Sequence, residues 1–89
     1  MVIWNLKFTN RAKKDSTALA AAHLKDRAER LLNVIKERPL EPPPEFEKLI
    51  GDLKGHYSRR INRQHRIVYN VNSKDKCIII ISMYSHYGE

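Results

Sequence analysis

Several features that would narrow the class of protein are missing from this 89-residue sequence. Because it has one cysteine, Cys77, no internal disulfide can form, which predicts a reducing, cytoplasmic environment. The isoleucines beside Cys77 predict that its thiol is buried. No apolar run approaches the roughly 20 residues of a membrane span, and the N-terminus lacks the apolar segment of a signal peptide. The four histidines and the cysteine lack zinc-ligand spacing, so no metal or cofactor is predicted.

Acidic residues are also scarce, and the imbalance points to an anionic partner. The chain has 17 Lys and Arg against 10 Asp and Glu, a formal net charge of +7. Such an excess favours a nucleic acid, an acidic protein or a membrane surface, although a basic domain with a solvated charged face has the same composition. A hydrophobic fraction of 42% is sufficient for a globular core, and the length predicts a single domain over residues 1–89.

The first half of the chain predicts one strand and a helical region. Alternating apolar residues indicate a strand over residues 2–8, after which Thr9 or Asn10 can cap a helix. Helical periodicity then continues to Pro39, which ends the region. Five apolar residues form one stripe in its second half: Leu24, Ala28, Leu31, Leu32 and Ile35. The alanine-rich residues 18–22 are either a tight crossing or the break between two antiparallel helices.

The second half predicts an antiparallel meander. Residues 41–45 form a stiff proline-rich linker, residues 46–53 are expected to make a short helical turn, and a turn follows at 54–55. Three strands with short connections are then predicted over residues 57–61, 65–71 and 77–84. The apolar run 77–81 indicates a central strand covered on both faces. The predicted fold is therefore α+β, in the order β-α-α-β-β-β, with two helices on one face of a small, mainly antiparallel sheet.

Arg66 is singled out by the alternation of its strand. Ile67, Tyr69 and Val71 share the apolar face, so Arg66 lies on the face away from the helices. Its planar guanidinium suits a phosphate there. The alternative is that it pairs with a carboxylate or covers the sheet.

The C-terminus carries the most reactive pair of side chains in the chain. His86 and Tyr87 follow the last predicted strand, on the meander that carries Arg66, and Glu47 follows the proline-rich linker. A carboxylate, an arginine, a histidine and a tyrosine can together support metal-free RNA cleavage, in which the ribose 2′-hydroxyl is the nucleophile. The other histidines, at positions 23, 56 and 65, are expected to be structural or solvent-exposed.

A longer pattern surrounds these residues. Residues 54–69 read Lys-Gly-His-Tyr-Ser-Arg-Arg-Ile-Asn-Arg-Gln-His-Arg-Ile-Val-Tyr, and residues 84–87 read Tyr-Ser-His-Tyr. Together with Ile3-Trp4 and Pro39, this pattern closely resembles the YoeB/Txe-type toxins of the RelE superfamily. The resemblance covers the whole chain in element order and is specific in the second half.

The resemblance implies a function and a set of roles. Toxins of this kind are ribosome-dependent endoribonucleases that cleave mRNA in the ribosomal A site, and a cognate antitoxin of the YefM/Phd type neutralises them. Homodimers also occur among them. The implied catalytic residues are Glu47 as general base, Arg66 for the phosphate charge, His86 as general acid and Tyr87 to orient the substrate. Arg59 matches a basic position expected to contact the RNA backbone, with Arg60 beside it.

The chain departs from the family pattern near the carboxylate. A lysine commonly stands three residues after the acidic residue, where this sequence has Ile50, so that Lys48 or Lys54 is needed as a substitute phosphate contact. Three successive prolines precede the acidic stretch, and a shift of register would give Glu45 the role assigned to Glu47.

Two other functions remain open at this stage. One is a toxin-fold protein that acts by binding, as gyrase-directed relatives do. Those relatives are expected to lack the catalytic Glu, His and Tyr, so the presence of Glu47, His86 and Tyr87 argues against this function. The other is a basic RNA-binding module without chemistry, whose affinity would come from Lys and Arg through counterion release.

Overall fold

Two helices and a five-stranded sheet form the described part of the chain, which in this computed structural model comprises residues 4–42, 45–49 and 55–83. The elements in chain order are β1 (Asn5–Phe8), α1 (Asn10–Ala21), α2 (Lys25–Glu37), β2 (Glu47–Lys48), β3 (His56–Arg60), β4 (Arg66–Asn72) and β5 (Cys77–Ser82). The strand order is β1-β5-β4-β3-β2, with β1 and β5 parallel and the other neighbours antiparallel. The predicted α+β fold, and the position of β5 inside the sheet, are confirmed.

The helical hairpin begins and breaks at residues with clear local causes. Thr9 caps α1, because its hydroxyl accepts a hydrogen bond from the backbone N–H of Ala12 at 3.0 Å. His23 adopts a left-handed conformation, with φ of 61°, and ends the first helix just after the alanine cluster. The alanines therefore precede a break between two helices. Neither helix is long and apolar enough to cross a membrane, and no other described segment is helical.

The core lies between the helices and one face of the sheet. One cluster joins buried residues of both helices to alternate residues of the central strands: Ala12, Leu19, Ala28, Leu31, Ile35, Ile67, Tyr69, Ile78 and Ile80. The predicted assignment of Ile67 and Tyr69 to the core face is therefore confirmed. Cys77 is a buried free thiol, also as predicted.

Two predictions about local structure are wrong. The short helical turn expected over residues 46–53 is instead an edge strand at Glu47–Lys48, and residues 50–54 lie outside the described part. Pairing with β3 overrides the local helical preference because it satisfies backbone groups that a single turn would leave unpaired. The second error concerns β5: Ile78 and Ile80 are fully buried, but Ile79 and Ile81 are partly exposed, so one face alone is completely covered.

The loop after α2 is tied to the sheet by side chains of β3 and β4. The Tyr69 hydroxyl donates a hydrogen bond to the Pro39 carbonyl at 2.8 Å. Nη2 of Arg59 donates to the carbonyls of Arg38 and Glu41, at 2.7 and 2.9 Å. These bonds satisfy carbonyls of the loop that follows α2, and they fix the chain where it approaches β2.

Burial of Tyr69 makes the stability of the protein sensitive to alkaline pH. Burial raises the pKa of Tyr69 from 10.0 to about 12, against the opposing charge of Arg59. The unfolded chain therefore loses this proton first, and the native state should lose roughly 2–3 kcal/mol as pH rises from about 10 to 12. Tyr69→Phe should remove that decline, at a cost of about 1–2 kcal/mol near pH 7 where the Pro39 carbonyl loses its donor. Urea unfolding of both proteins between pH 7 and 12 measures the two effects, and parallel pH profiles would contradict them.

Candidate active site

An ion pair on the outer face of the sheet joins two of the predicted site residues. The outer face, away from the helices, carries Glu47, Ser58, Arg60, Arg66 and Val68, because Glu47 is opposite Ser58 in β3, and Ser58 and Arg60 are opposite Val68 and Arg66 in β4. A guanidinium nitrogen of Arg66 lies 3.6 Å from Oε2 of Glu47.

The pair is too exposed to serve mainly as a stabilising contact. The Glu47 side chain is 60% exposed and that of Arg66 19% exposed. Ion pairs with an exposed member typically contribute about 1 kcal/mol or less. A carboxylate and a guanidinium therefore lie side by side at the surface of the sheet.

A shallow depression adjoins the ion pair. It has a volume of about 220 Å³ and is lined by Glu45, Glu47, Ser58 and Arg60. Both candidate carboxylates therefore face one space, as expected for residues two apart in an extended segment. Glu47 is the one that forms the ion pair with Arg66.

The C-terminal strand ends beside this site. A β-bulge between Val68 and Tyr69 shifts the pairing of β4 with β5, so that Ser82, rather than Ile81, lies opposite Val68 on the outer face. Ser82 is 3% exposed and Met83 2% exposed. The Met83 N–H donates to Oδ2 of Asp15 at 2.9 Å, which anchors the strand end to α1.

The proposed acid and its neighbour lie beyond that anchor. His86 and Tyr87 are outside the described residues. Their roles remain predictions.

Arg59 corrects one assignment made from the sequence. Its side chain is 1% exposed and lies on the core face, opposite Ile67, so its guanidinium is not available to an RNA backbone. Burial lowers the pKa of the Arg59 guanidinium below its ordinary value, while the neighbouring Tyr69 opposes the shift. Arg60 faces the other way and is exposed, as an RNA contact requires.

Lys48, one of the two lysines expected to replace the missing family lysine, is not at the ion pair. Lys48 lies opposite Tyr57, on the other face from Glu47. Its register thus does not bring it to Arg66, which corrects the assignment of Lys48 as a substitute phosphate contact. Lys54 and Ile50 lie outside the described residues.

A groove beside the site contains basic residues that sequence reasoning missed. It has a volume of about 370 Å³ and is lined by Arg27, Arg30, Leu31, Val34, Arg60 and Ile61. Arg60 also lines the depression at Glu47, so the groove and the site are adjacent. The three-residue spacing of Arg27 and Arg30 was the available signal, since it places both on one side of α2. Within residues 4–42, 45–49 and 55–83, no group of three or more His, Cys, Asp or Glu side chains could hold a metal ion.

Comparison with known proteins identifies the family. The profile described as "YoeB-like toxin of bacterial type II toxin-antitoxin system" matches residues 8–87. The chain belongs to the YoeB-like toxins. The Toxin YoeB of Streptomyces coelicolor is 34% identical over 84 residues, which are 92% of this chain and 98% of that toxin. The Toxin YoeB of Synechocystis sp. is 39% identical over 57 residues, and this match spans 64% of each chain.

A solved structure of a YoeB-like toxin has the same fold. The chain in the YoeB-YefM complex from Staphylococcus aureus superposes with a TM-score of 0.78 at 36% identity, covering 94% of this chain and 98% of that one. The predicted membership of the YoeB/Txe group, and with it the fold, are confirmed. The protein is a YoeB-family toxin of a type II toxin–antitoxin module.

Proposed function

We propose that this YoeB-like toxin is a ribosome-dependent endoribonuclease that cleaves mRNA in the ribosomal A site and so inhibits translation. The observation that carries the proposal is the Glu47–Arg66 ion pair, a base and a cation 3.6 Å apart on the outer face of the sheet. Membership of the YoeB-like family supports it. Action on the ribosome requires a cytoplasmic protein.

Each proposed residue has one task in the reaction. Glu47 removes the proton from a ribose 2′-hydroxyl, whose oxygen then attacks the adjacent phosphorus. Arg66 stabilises the negative charge that develops on the phosphoryl oxygens. The bond from phosphorus to the 5′-oxygen of the next nucleotide breaks, and His86 donates a proton to that oxygen. Tyr87 orients the substrate.

Proximity accounts for the importance of the ion pair. Glu47 and Arg66 belong to different strands, and β3 lies between them. The sheet therefore holds a proton acceptor and a phosphate-binding group at a separation that one nucleotide can bridge. Such fixed placement contributes to rate because less orientational freedom is lost when the substrate reacts.

RNA is expected to extend over the basic residues next to the pair. Arg60 is exposed and lies opposite Arg66, and it also lines the groove that contains Arg27 and Arg30. Lys54 remains a candidate contact on the segment outside the described residues. Guanidinium groups bind phosphate oxygens in a bidentate manner, and a net charge of +7 favours association with ribosomal RNA and mRNA.

The expected protein partner is a cognate antitoxin of the YefM/Phd type. A YoeB-like relative from Staphylococcus aureus is known both in a complex with YefM and as a dimer. An acidic antitoxin segment would complement the basic surface of this chain. We also propose a homodimer, because the relative from Staphylococcus aureus forms a dimer.

The chemistry of the RNA ends tests the reaction directly. Attack by the 2′-oxygen should leave a 2′,3′-cyclic phosphate on the upstream fragment and a 5′-hydroxyl on the downstream fragment. We expect both ends on mRNA translated with purified ribosomes, and a single 2′-deoxy substitution at the cleaved nucleotide should abolish cleavage there. Translated mRNA without the toxin is the control. Cleavage that leaves 5′-phosphate ends would contradict 2′-oxygen attack, and intact mRNA with tight RNA binding would instead favour a binding module.

A further inference from the structure

A buried arginine makes two sets of contacts that converge on the segment leading to Glu47. The Arg59 guanidinium donates through Nη2 to the carbonyls of residues 38 and 41, and it lies 5.2 Å from the centre of the Phe46 ring. Phe46 also meets Tyr57 edge to face, with ring centres 5.9 Å apart. The aromatic side chain immediately before Glu47 is thus held on the core face.

Fixing Phe46 determines where Glu47 points. Successive side chains of an extended segment lie on opposite faces, so Phe46 on the core face places Glu47 on the outer face beside Arg66. A slip of one residue would turn Phe46 outward and direct Glu47 toward the core.

The backbone pairing of β2 is too short to specify that register alone. The strand has two residues, and each is opposite one residue of β3. One further hydrogen bond, from the Leu49 N–H to the His56 carbonyl at 2.9 Å, follows the strand. Short edge strands are prone to alternative pairings unless side chains select one. The contact of Phe46 with Arg59 and Tyr57 provides that selection.

Arginine is a costly residue at this position unless it has such a task. Nε and Nη1 of Arg59 have no hydrogen-bond partner among the residues that the structure describes. A buried cation with unsatisfied donors is less favourable than an apolar side chain of similar size. The Arg59 guanidinium instead packs against the Phe46 ring and donates two hydrogen bonds to the preceding loop. It therefore holds the segment on both sides of the prolines.

We propose that Arg59 is a positioning residue, which acts through Phe46 to hold Glu47 against Arg66. The proposal rests on the assignment of Glu47 as the base in the proposed function. It also makes a prediction that is independent of cleavage, because the docking of β2 on β3 can be measured without RNA.

Amide hydrogen exchange of the free protein tests the docking. Phe46→Ala should speed exchange of the Leu49 N–H by about tenfold or more, because its bond to His56 opens when β2 is released. Arg59→Met replaces the guanidinium by an apolar side chain of similar length, and it should have the same effect. Ile35→Val is the control, since Ile35 is fully buried in α2 and is absent from the contacts of Phe46. Unchanged Leu49 exchange in Phe46→Ala would overturn the proposal, and that variant decides the matter if Arg59→Met does not fold.

Kinetics separate positioning from general stability. Phe46→Ala and Arg59→Met should lower kcat by about 10- to 100-fold with KM for the ribosome unchanged, as expected for a displaced catalytic group. In a Glu47→Gln background, Phe46→Ala should have no further effect on the single-turnover rate, because the group that it positions is already absent. If Phe46→Ala lowers the single-turnover rate equally in the wild-type and Glu47→Gln proteins, the proposal is overturned. A loss of rate of the same size in Ile35→Val would also overturn it. If the wild-type toxin does not cleave RNA, the proposed function fails, whereas Leu49 exchange still decides whether Arg59 and Phe46 hold β2.

Discussion

Glu47→Gln should lower the rate of mRNA cleavage by about 10²- to 10⁴-fold, the usual contribution of a general base. Glutamine has nearly the shape of glutamate and keeps a polar contact to Arg66, but its amide cannot accept the 2′-hydroxyl proton. Because the Glu47 side chain is 60% exposed, the change should leave the fold intact. The measurement is the single-turnover rate on ribosomes programmed with one mRNA, together with growth arrest when the toxin is expressed.

Glu45→Gln is the matched control, and it also tests the register. Glu45 lines the same depression and the substitution removes the same charge. We expect its rate to stay within about threefold of wild type, because Glu47 is the carboxylate paired with Arg66. If Glu45→Gln loses activity and Glu47→Gln does not, Glu45 is the base and the pairing of β2 differs in the active toxin.

Arg66→Ala should slow cleavage by about 30- to 1,000-fold, which corresponds to roughly 2–4 kcal/mol of transition-state stabilisation. Arg66 stands at the start of β4, where its backbone pairs with Arg60 of β3, and β5 pairs with the same strand from Val68 onward. Charge that develops on the phosphoryl oxygens therefore meets a cation that needs no reorganisation. The loss should appear in the rate of the chemical step at saturating ribosomes, with wild-type fragment ends.

Two comparisons distinguish this role from general charge and from stability. Arg63→Ala removes the same charge from an exposed position in the turn before β4, and it should change the saturated rate by less than about threefold. The free energy of unfolding of Arg66→Ala should fall by about 1 kcal/mol or less, as expected for an ion pair with an exposed partner. A saturated rate equal to that of wild type would remove Arg66 from the mechanism.

Local patterns predicted most of the elements because the information they need is local. The stripe from Leu24 to Ile35 and the cap at Thr9 are properties of neighbouring residues, and both are confirmed. Alternation along β4 correctly separated Arg66 from the core residues Ile67 and Tyr69. The edge strand β2 was missed because two residues contain no periodicity, and its conformation depends on pairing with β3.

The arginine pair Arg59-Arg60 shows the limit of sequence reasoning most clearly. Alternation requires the two side chains to face opposite ways, but it does not say which one is buried. The register with β4 decides this, since Arg59 is opposite the core residue Ile67 and Arg60 is opposite Arg66. Arg59 therefore binds carbonyls inside the protein, and Arg60 is the one exposed beside the candidate site.

By itself, the sequence determined the basic charge, the helical hairpin, the meander, the resemblance to YoeB-like toxins and the residue types available for RNA cleavage. The charge follows from composition, the helices and strands follow from residues close together along the chain, and the resemblance follows from motifs spread over the chain. The tertiary structure alone decided that Glu47 meets Arg66, that Arg59 is buried and that Lys48 faces away from the pair. The physical reason is register: these contacts cross between strands, and strand register depends on long-range packing that no local pattern encodes.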